Sequence, residues 1–182
     1  MRTLPLRPPC RDVWLGLALL LGLVTSAWAG IPALYTPMVL QPQPGQAVVE
    51  YDLRPAQAQA RRERKRLYVY LGAKDCSFCR RYERFLEKHT GDLVSAFAAQ
   101  YLVVDLRSEL SATADKLILR TDQLRLPYTE FQRAIGDERA RMLVYPSVWV
   151  LDADARPLMQ MPAGAGTFET VPEQLEILNL VQ

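Results

Sequence analysis

The stretch Leu67-Tyr68-Val69-Tyr70-Leu71-Gly72-Ala73-Lys74-Asp75-Cys76-Ser77-Phe78-Cys79 changes its periodicity partway along, and that change decides the fold class. Leu67 to Leu71 is a short run of aliphatic and aromatic side chains closed by Gly72, the pattern of a buried strand. Beyond the turn at residues 72–75, Phe78, Tyr82, Phe85, Leu86 and His89 recur at helical offsets, with Gly91 as the expected stop. The two cysteines therefore stand where a strand hands over to the amino end of a helix. Unpaired N–H groups and positive potential at such an end favour a thiolate, which makes Cys76 the attacking sulfur and the one expected to be exposed. Cys79, nearly one turn on and shielded by helix and strand, is the resolving thiol. Lys74, Arg80 and Arg81 favour ionisation of Cys76, whereas Asp75 opposes it. Ser77 offers a hydroxyl donor and Phe78 an apolar surface, so both are candidate substrate-binding residues.

Downstream, the patterns predict strands over residues 101–106 and 147–151, a turn at Asp152-Ala153-Asp154-Ala155, a further strand over 157–161 and a helix over 171–181. The roughly forty residues between the second and third strands exceed a usual loop and show helical patterns near 112–119 and 128–142. Upstream, Pro32, Pro37, Pro42 and Pro44 predict an extended, weakly ordered arm over 30–54. Asp52 is placed to cap a helix over 55–66 that contains Ala56, Ala58 and Ala60. The run Arg61-Arg62-Glu63-Arg64-Lys65-Arg66 is either an anion-binding patch or a solvated helix face, and the second needs fewer assumptions. Strands alternating with helices predict one α/β domain over 55–182, with a central mixed β-sheet flanked by helices.

The amino terminus carries Arg2, Arg7 and Arg11, then an apolar run from Val13 to Val24, then Ala27-Trp28-Ala29 before Gly30. This is the layout of a secretory signal over 1–29, with cleavage expected after Ala29 and a periplasmic destination. The competing reading is a retained anchor, since 17 residues from Val13 to Ala29 sit at the lower limit for a spanning helix. Cys10 precedes the apolar run, so it is not the lipidated cysteine of a lipoprotein signal. Loss of 1–29 removes three Arg and Asp12 from 22 basic and 20 acidic side chains, so the remainder balances at zero. Nothing in that balance asks for nucleic acid, or for a membrane once the signal is gone.

Two of the three cysteines survive cleavage, in a compartment where disulfides persist. A bridge between Cys76 and Cys79 closes so short a loop that it restricts little of the unfolded chain, so a redox purpose explains the spacing better than stability does. Zinc or an iron–sulfur cluster would need further ligands, and His89 is the only histidine, so no metal is expected. The serious rival is a passive disulfide in a binding domain.

The order of strand 67–71, Cys76-Ser77-Phe78-Cys79 opening a helix, and Val144-Tyr145-Pro146-Ser147 before strand 147–151 resembles the thioredoxin family over roughly residues 55–181. Residues 58–83, with their charged helix, apolar strand and CxxC-Arg-Arg sequence, look most like its periplasmic thioredoxin-related subgroup. The resemblance implies a thioredoxin-like fold and a redox-active Cys76–Cys79 disulfide. It also implies a cis peptide bond before Pro146, with Tyr145 and Pro146 lining the substrate groove so that strand-edge groups stay free for β-type pairing. Partners would be protein thiol or disulfide substrates and a second protein that recharges the pair. No cofactor is expected, because the two sulfurs carry the electrons. A monomer is expected, because the dimeric isomerases of this class add a dimerisation domain for which this chain has no room. Reduction of envelope proteins is the expected use, with oxidation or isomerisation open to the same chemistry.

Two departures stand out. The family's buried acid six residues before the first cysteine is here Tyr70, and a tyrosine with a pKa near 10 is a poor base at neutral pH. Residues 107–127 exceed the family's minimal connection, as either a partner-selecting insertion or a decorative surface helix.

Overall fold

The computed structural model describes residues 30–42, 47–136, 143–160 and 170–180. The expected signal segment, the distal part of the helix expected to reach Met142, Met161 and Val181 lie outside the described residues. In chain order the elements are a single 3-10 turn (Ala33–Tyr35), β1 (Met38–Leu40), β2 (Val49–Asp52), α1 (Arg54–Glu63), β3 (Arg66–Ala73), α2 (Ser77–Lys88) and α3 (Thr90–Gln100). They continue with β4 (Tyr101–Ser108), β5 (Leu117–Arg120), β6 (Arg125–Pro127), α4 (Tyr128–Ala134), β7 (Ser147–Leu151), β8 (Pro157–Gln160) and α5 (Val171–Leu180).

Side chains alternate across a strand, and β3 uses both of its faces. Leu67, Val69 and Leu71 enter one core with Tyr51, Leu106, Leu117, Phe131 and Trp149. Tyr68 and Tyr70 enter the other, with Tyr35, Tyr82, Phe97, Tyr101 and Val148. A strand buried on both faces belongs at the centre of a sheet. The five-stranded sheet indeed runs β1-β4-β3-β7-β8, with β1, β4 and β3 parallel and β7 and β8 antiparallel. A three-stranded sheet, β2-β5-β6, pairs β2 with β5 in parallel and β5 with β6 antiparallel. The whole is a mixed α/β architecture consistent with a thioredoxin-like fold. Among the described residues no helix is long and apolar enough to cross a membrane.

Several local expectations are corrected. The arm is not loose throughout. Ile31 and Tyr35 are buried, and Met38 to Leu40 pair in register with Val104 to Leu106. Pro37 and Pro42 flank the strand rather than interrupt it, which is where a missing donor does least harm. Residues 117–120, overlapping the expected helical pattern at 112–119, form a strand, because Val49 to Asp52 supply a partner along their full length. Leu117 and Leu119 have no exposure, so this stretch is core rather than a decorative surface helix. Gly91 does not end helical structure. The chain breaks at His89, with φ −111° and ψ 29°, and resumes as α3. Asp52 lies one residue before the N-cap Leu53, yet its Oδ1 still accepts the Arg54 N–H at 3.1 Å. Arg66 belongs to β3, since Arg64 at φ 53° closes α1 in the left-handed conformation. Within the basic run, Arg61 pairs with Asp122 and with Asp154, tying α1 to two loops.

Candidate functional site

Parallel neighbours β3 and β4 end together, and antiparallel β7 begins where they end. The register sets Ala73 opposite Ser108 and Leu71 opposite Ser147. Three strand ends therefore converge, and clefts of open sheets form outside the carboxyl ends of parallel strands. The chain leaves β3 through Lys74 and Asp75 and enters α2 at Cys76, the N-cap, whose φ −90° and ψ 116° are extended. Lys74 N–H donates to Ser108 O at 3.0 Å, and Leu110 N–H donates to Asp75 Oδ1 at 3.1 Å. The loop before the cysteines is thus held by the turn after β4.

Cys76 and Cys79 form a disulfide, with Cα atoms 5.3 Å apart. Cys76 Sγ also accepts the Cys79 N–H at 3.0 Å, so the first sulfur receives an otherwise unpaired donor of the helix end. That contact is worth more to a thiolate than to a thiol. Ala73, Cys76 and Cys79 form a small apolar cluster against which Tyr145 packs. Tyr145 OH and Ser108 Oγ share a hydrogen bond of 2.9 Å, and the Tyr145–Pro146 peptide bond is cis. Ser77 and Phe78 lie on the outer side, Phe78 with half its surface exposed.

Cys76, Cys79, Tyr145 and Pro146 are accordingly brought to one end of the sheet, with Ser77 and Phe78 as its exposed shoulder. One expectation is reversed. Cys76 is expected to be the exposed sulfur, but in the disulfide form the residue is only 3% exposed, clustered with Ala73 and Cys79 while Tyr145 packs against that cluster. No protein-family model matches this chain, and no curated protein matches it.

Beneath the disulfide lies a polar cluster that reading the sequence missed. Tyr70 OH donates to Glu83 Oε1 at 3.0 Å, and Arg80 Nη1 binds Glu83 Oε2 at 3.0 Å. Gly72 leaves room for that tyrosine, since a methyl there would come within 2.6 Å of the ring. Glu83 is four residues after Cys79 on the same buried face of α2, the spacing at which helix side chains are neighbours. Burial raises the Glu83 pKa, against the pull of Tyr70 and Arg80. Asp105, opposite Tyr70 on β4, is fully buried, and burial raises its pKa against the pull of Arg107. The signals were present: a carboxylate among Cys79, Tyr82 and Leu86 on one helix face, and an aspartate inside the apolar run Tyr101 to Leu106. An acid thus stands in contact with Tyr70, but from α2 rather than from β3.

The raised Glu83 pKa has a measurable sign. Between the ordinary glutamate pKa and the raised one, the folded chain holds more protons than the unfolded chain, so stability falls as pH rises through that window. Glu83→Gln removes this titration and leaves Asp105, whose pKa is raised in the same direction, as the remaining buried acid. Urea unfolding at about pH 4 and about pH 7 is expected to show the variant gaining on the parent as pH rises. Parallel stability curves for the two proteins would contradict the assignment.

Proposed function

We propose that the protein is an exported, periplasmic thiol–disulfide oxidoreductase that acts on envelope proteins, in the reducing direction. The observation that supports it is the Cys76–Cys79 disulfide at the start of α2, with Cys76 Sγ already receiving a helix-end N–H. In the reduced protein, Cys76 thiolate attacks one sulfur of a client disulfide, forming a mixed disulfide and releasing one client thiolate. Cys79 thiolate then attacks Cys76 Sγ and releases the second. The client gains two electrons and two protons, the protein is left as the disulfide, and a separate dithiol partner must reduce it again. Ser77, Phe78, Tyr145 and Pro146 form the surface that a client chain would meet. Export follows from the signal reading, with cleavage between Ala29 and Gly30.

A second reading, a binding or assembly module with an inert disulfide, is favoured by the burial of Cys76. The equilibrium redox potential against glutathione separates the two. A redox-active pair is expected to equilibrate at a potential within the span of the thioredoxin-like exchangers, about −120 to −270 mV. A disulfide that stays oxidised under reducing buffer, with no turnover of a disulfide-bonded client, assigns the protein to the second reading.

A further inference from the structure

Gly30 lies against a buried carboxylate. A methyl group on it would collide with Asp105 Oδ2 and stand 2.9 Å from both Arg107 Nε and Nη2. The Gly30 Cα is therefore one bond, about 1.5 Å, from a point in collision with the carboxylate, and its nitrogen is one further bond of about 1.5 Å away. The neighbouring chain is anchored: Ile31 is 3% exposed, and Tyr35 OH donates to Leu86 O at 2.9 Å. Ile31 N–H donates to Asp105 Oδ2 at 3.2 Å, and Arg107 Nε donates to the same oxygen at 3.0 Å. Asp105 Oδ1, by contrast, is buried with no hydrogen-bond partner among the described residues. Such an orphaned acceptor is costly and calls for an explanation.

The charged and titratable groups that interact with Asp105 are Arg107 on its own strand, Tyr70 on β3, Glu83 on α2, itself paired with Arg80, and Tyr51 on β2. Arg80 is engaged by Glu83, Tyr70 donates to Glu83, and Tyr51 OH donates to Arg107 O at 2.6 Å. A further donor is wanted, and the Gly30 nitrogen stands only two bonds from the point that collides with the carboxylate. In the unprocessed chain it is an amide with one hydrogen. Hydrolysis of the Ala29–Gly30 bond adds the elements of water, leaving a carboxylate on Ala29 and an ammonium on Gly30 with three donors and a full charge.

We propose that removal of residues 1–29 makes Gly30 a structural terminus, whose α-ammonium pairs with Asp105 Oδ1 and completes a charge cluster that the precursor leaves unfinished. This rests on the cleavage reading given under Proposed function. A glycine is required at the new terminus because any side chain would push the ammonium off the carboxylate.

The test uses the exported protein purified from the envelope. Its first residue is read by mass spectrometry, and the reactivity of its α-amino group toward an acylating reagent is followed against pH. The folded protein is expected to acylate at least tenfold more slowly near pH 8 than the same protein in denaturant, where the ordinary α-amino pKa of about 7.7–8.0 applies. Asp105→Asn, which keeps the shape and removes the charge, is expected to lose that protection. A chain that begins at Gly30 yet reacts alike folded and unfolded overturns the pairing and leaves the cleavage reading standing. A chain that begins elsewhere overturns the cleavage reading and the pairing with it. The comparison with denaturant needs no variant, so it decides the matter even where Asp105→Asn does not fold.

Discussion

Cys76→Ser is expected to reduce thiol–disulfide exchange to background, whereas Cys79→Ser is expected to accumulate mixed disulfides between Cys76 and client proteins. The asymmetry comes from α2. Cys76 is the N-cap whose sulfur receives the Cys79 N–H, while Cys79 is wholly buried one turn on and its own amide is the donor. A thiolate is stabilised at the first position and shielded at the second. Removing the second sulfur leaves the attack intact and deletes the intramolecular escape, so the covalent intermediate persists. Both residues are nearly inaccessible in the disulfide form, so preferential alkylation of Cys76 at mildly acidic pH would rest on its thiolate content rather than on exposure. Non-reducing electrophoresis followed by mass spectrometry of the adducts reads the outcome. No adducts with Cys79→Ser, together with equal slow alkylation of both thiols in the parent, would mean that the disulfide is inert.

Phe97→Ala is expected to produce the largest loss of stability, about 3–5 kcal/mol, because a large buried side chain is removed and its cavity remains. Phe97 is 2% exposed and packs edge-on against Tyr35 and Tyr68, with ring centroids 5.2 Å and 4.8 Å away and planes at 87° and 80°. Each such pair adds about 0.5–1.5 kcal/mol beyond area burial. The ring also joins the amino-terminal segment to the sheet, since Tyr35 sits on one side of it and β3 on the other. Urea denaturation is expected to show the lower midpoint, and proteolysis within residues 30–42 should quicken. The redox potential should stay near that of the parent, because the disulfide packs in a separate cluster with Ala73 and Tyr145. A midpoint shift under about 1 kcal/mol would show that the cavity collapses at little cost.

The aromatic core also shows how tyrosine hydroxyls can be buried. Tyr82 OH donates to Gln174 Oε1 at 2.9 Å and so accepts from Tyr68 OH at 2.6 Å, while Tyr101 OH donates to Leu178 O at 2.9 Å. Tyr35 is the example with a quotable consequence: its pKa is pushed up to about 12, by burial first and by Asp92 second. These phenols remain neutral donors throughout the physiological range. Their value is geometric, in fixing how α2 and α5 sit on the sheet.

Where reading the chain succeeded, the signal was local. The run Leu67 to Leu71 alternates between two apolar faces and lies within β3, and Ser147 to Leu151 coincides with β7. The offsets of Phe78, Tyr82, Phe85 and Leu86 describe the helix that starts one residue after Cys76. Where it failed, the missing information was a distant partner. Leu117-Ile118-Leu119 is apolar enough for either a helix or a strand, and period alone cannot choose between them. Residues Val49 to Tyr51, nearly seventy positions earlier, made the choice by offering a parallel edge. The proline-spaced arm likewise reads as extended, but only the free edge of β4 turns Met38 to Leu40 into a strand.

The sequence by itself determined that two cysteines meet at a strand–helix junction, because alternation, helical spacing and a glycine turn are properties of consecutive residues. Only the tertiary structure decided that Tyr145 packs against the cluster of Ala73, Cys76 and Cys79, that Glu83 reaches Tyr70, and that Gly30 rests against Asp105. Those contacts join residues up to about 75 positions apart, as in the Ile31 to Asp105 hydrogen bond across 74. They form once the register of β3, β4 and β7 has set three strand ends side by side, since a slip of one residue would turn each of these side chains to the opposite face.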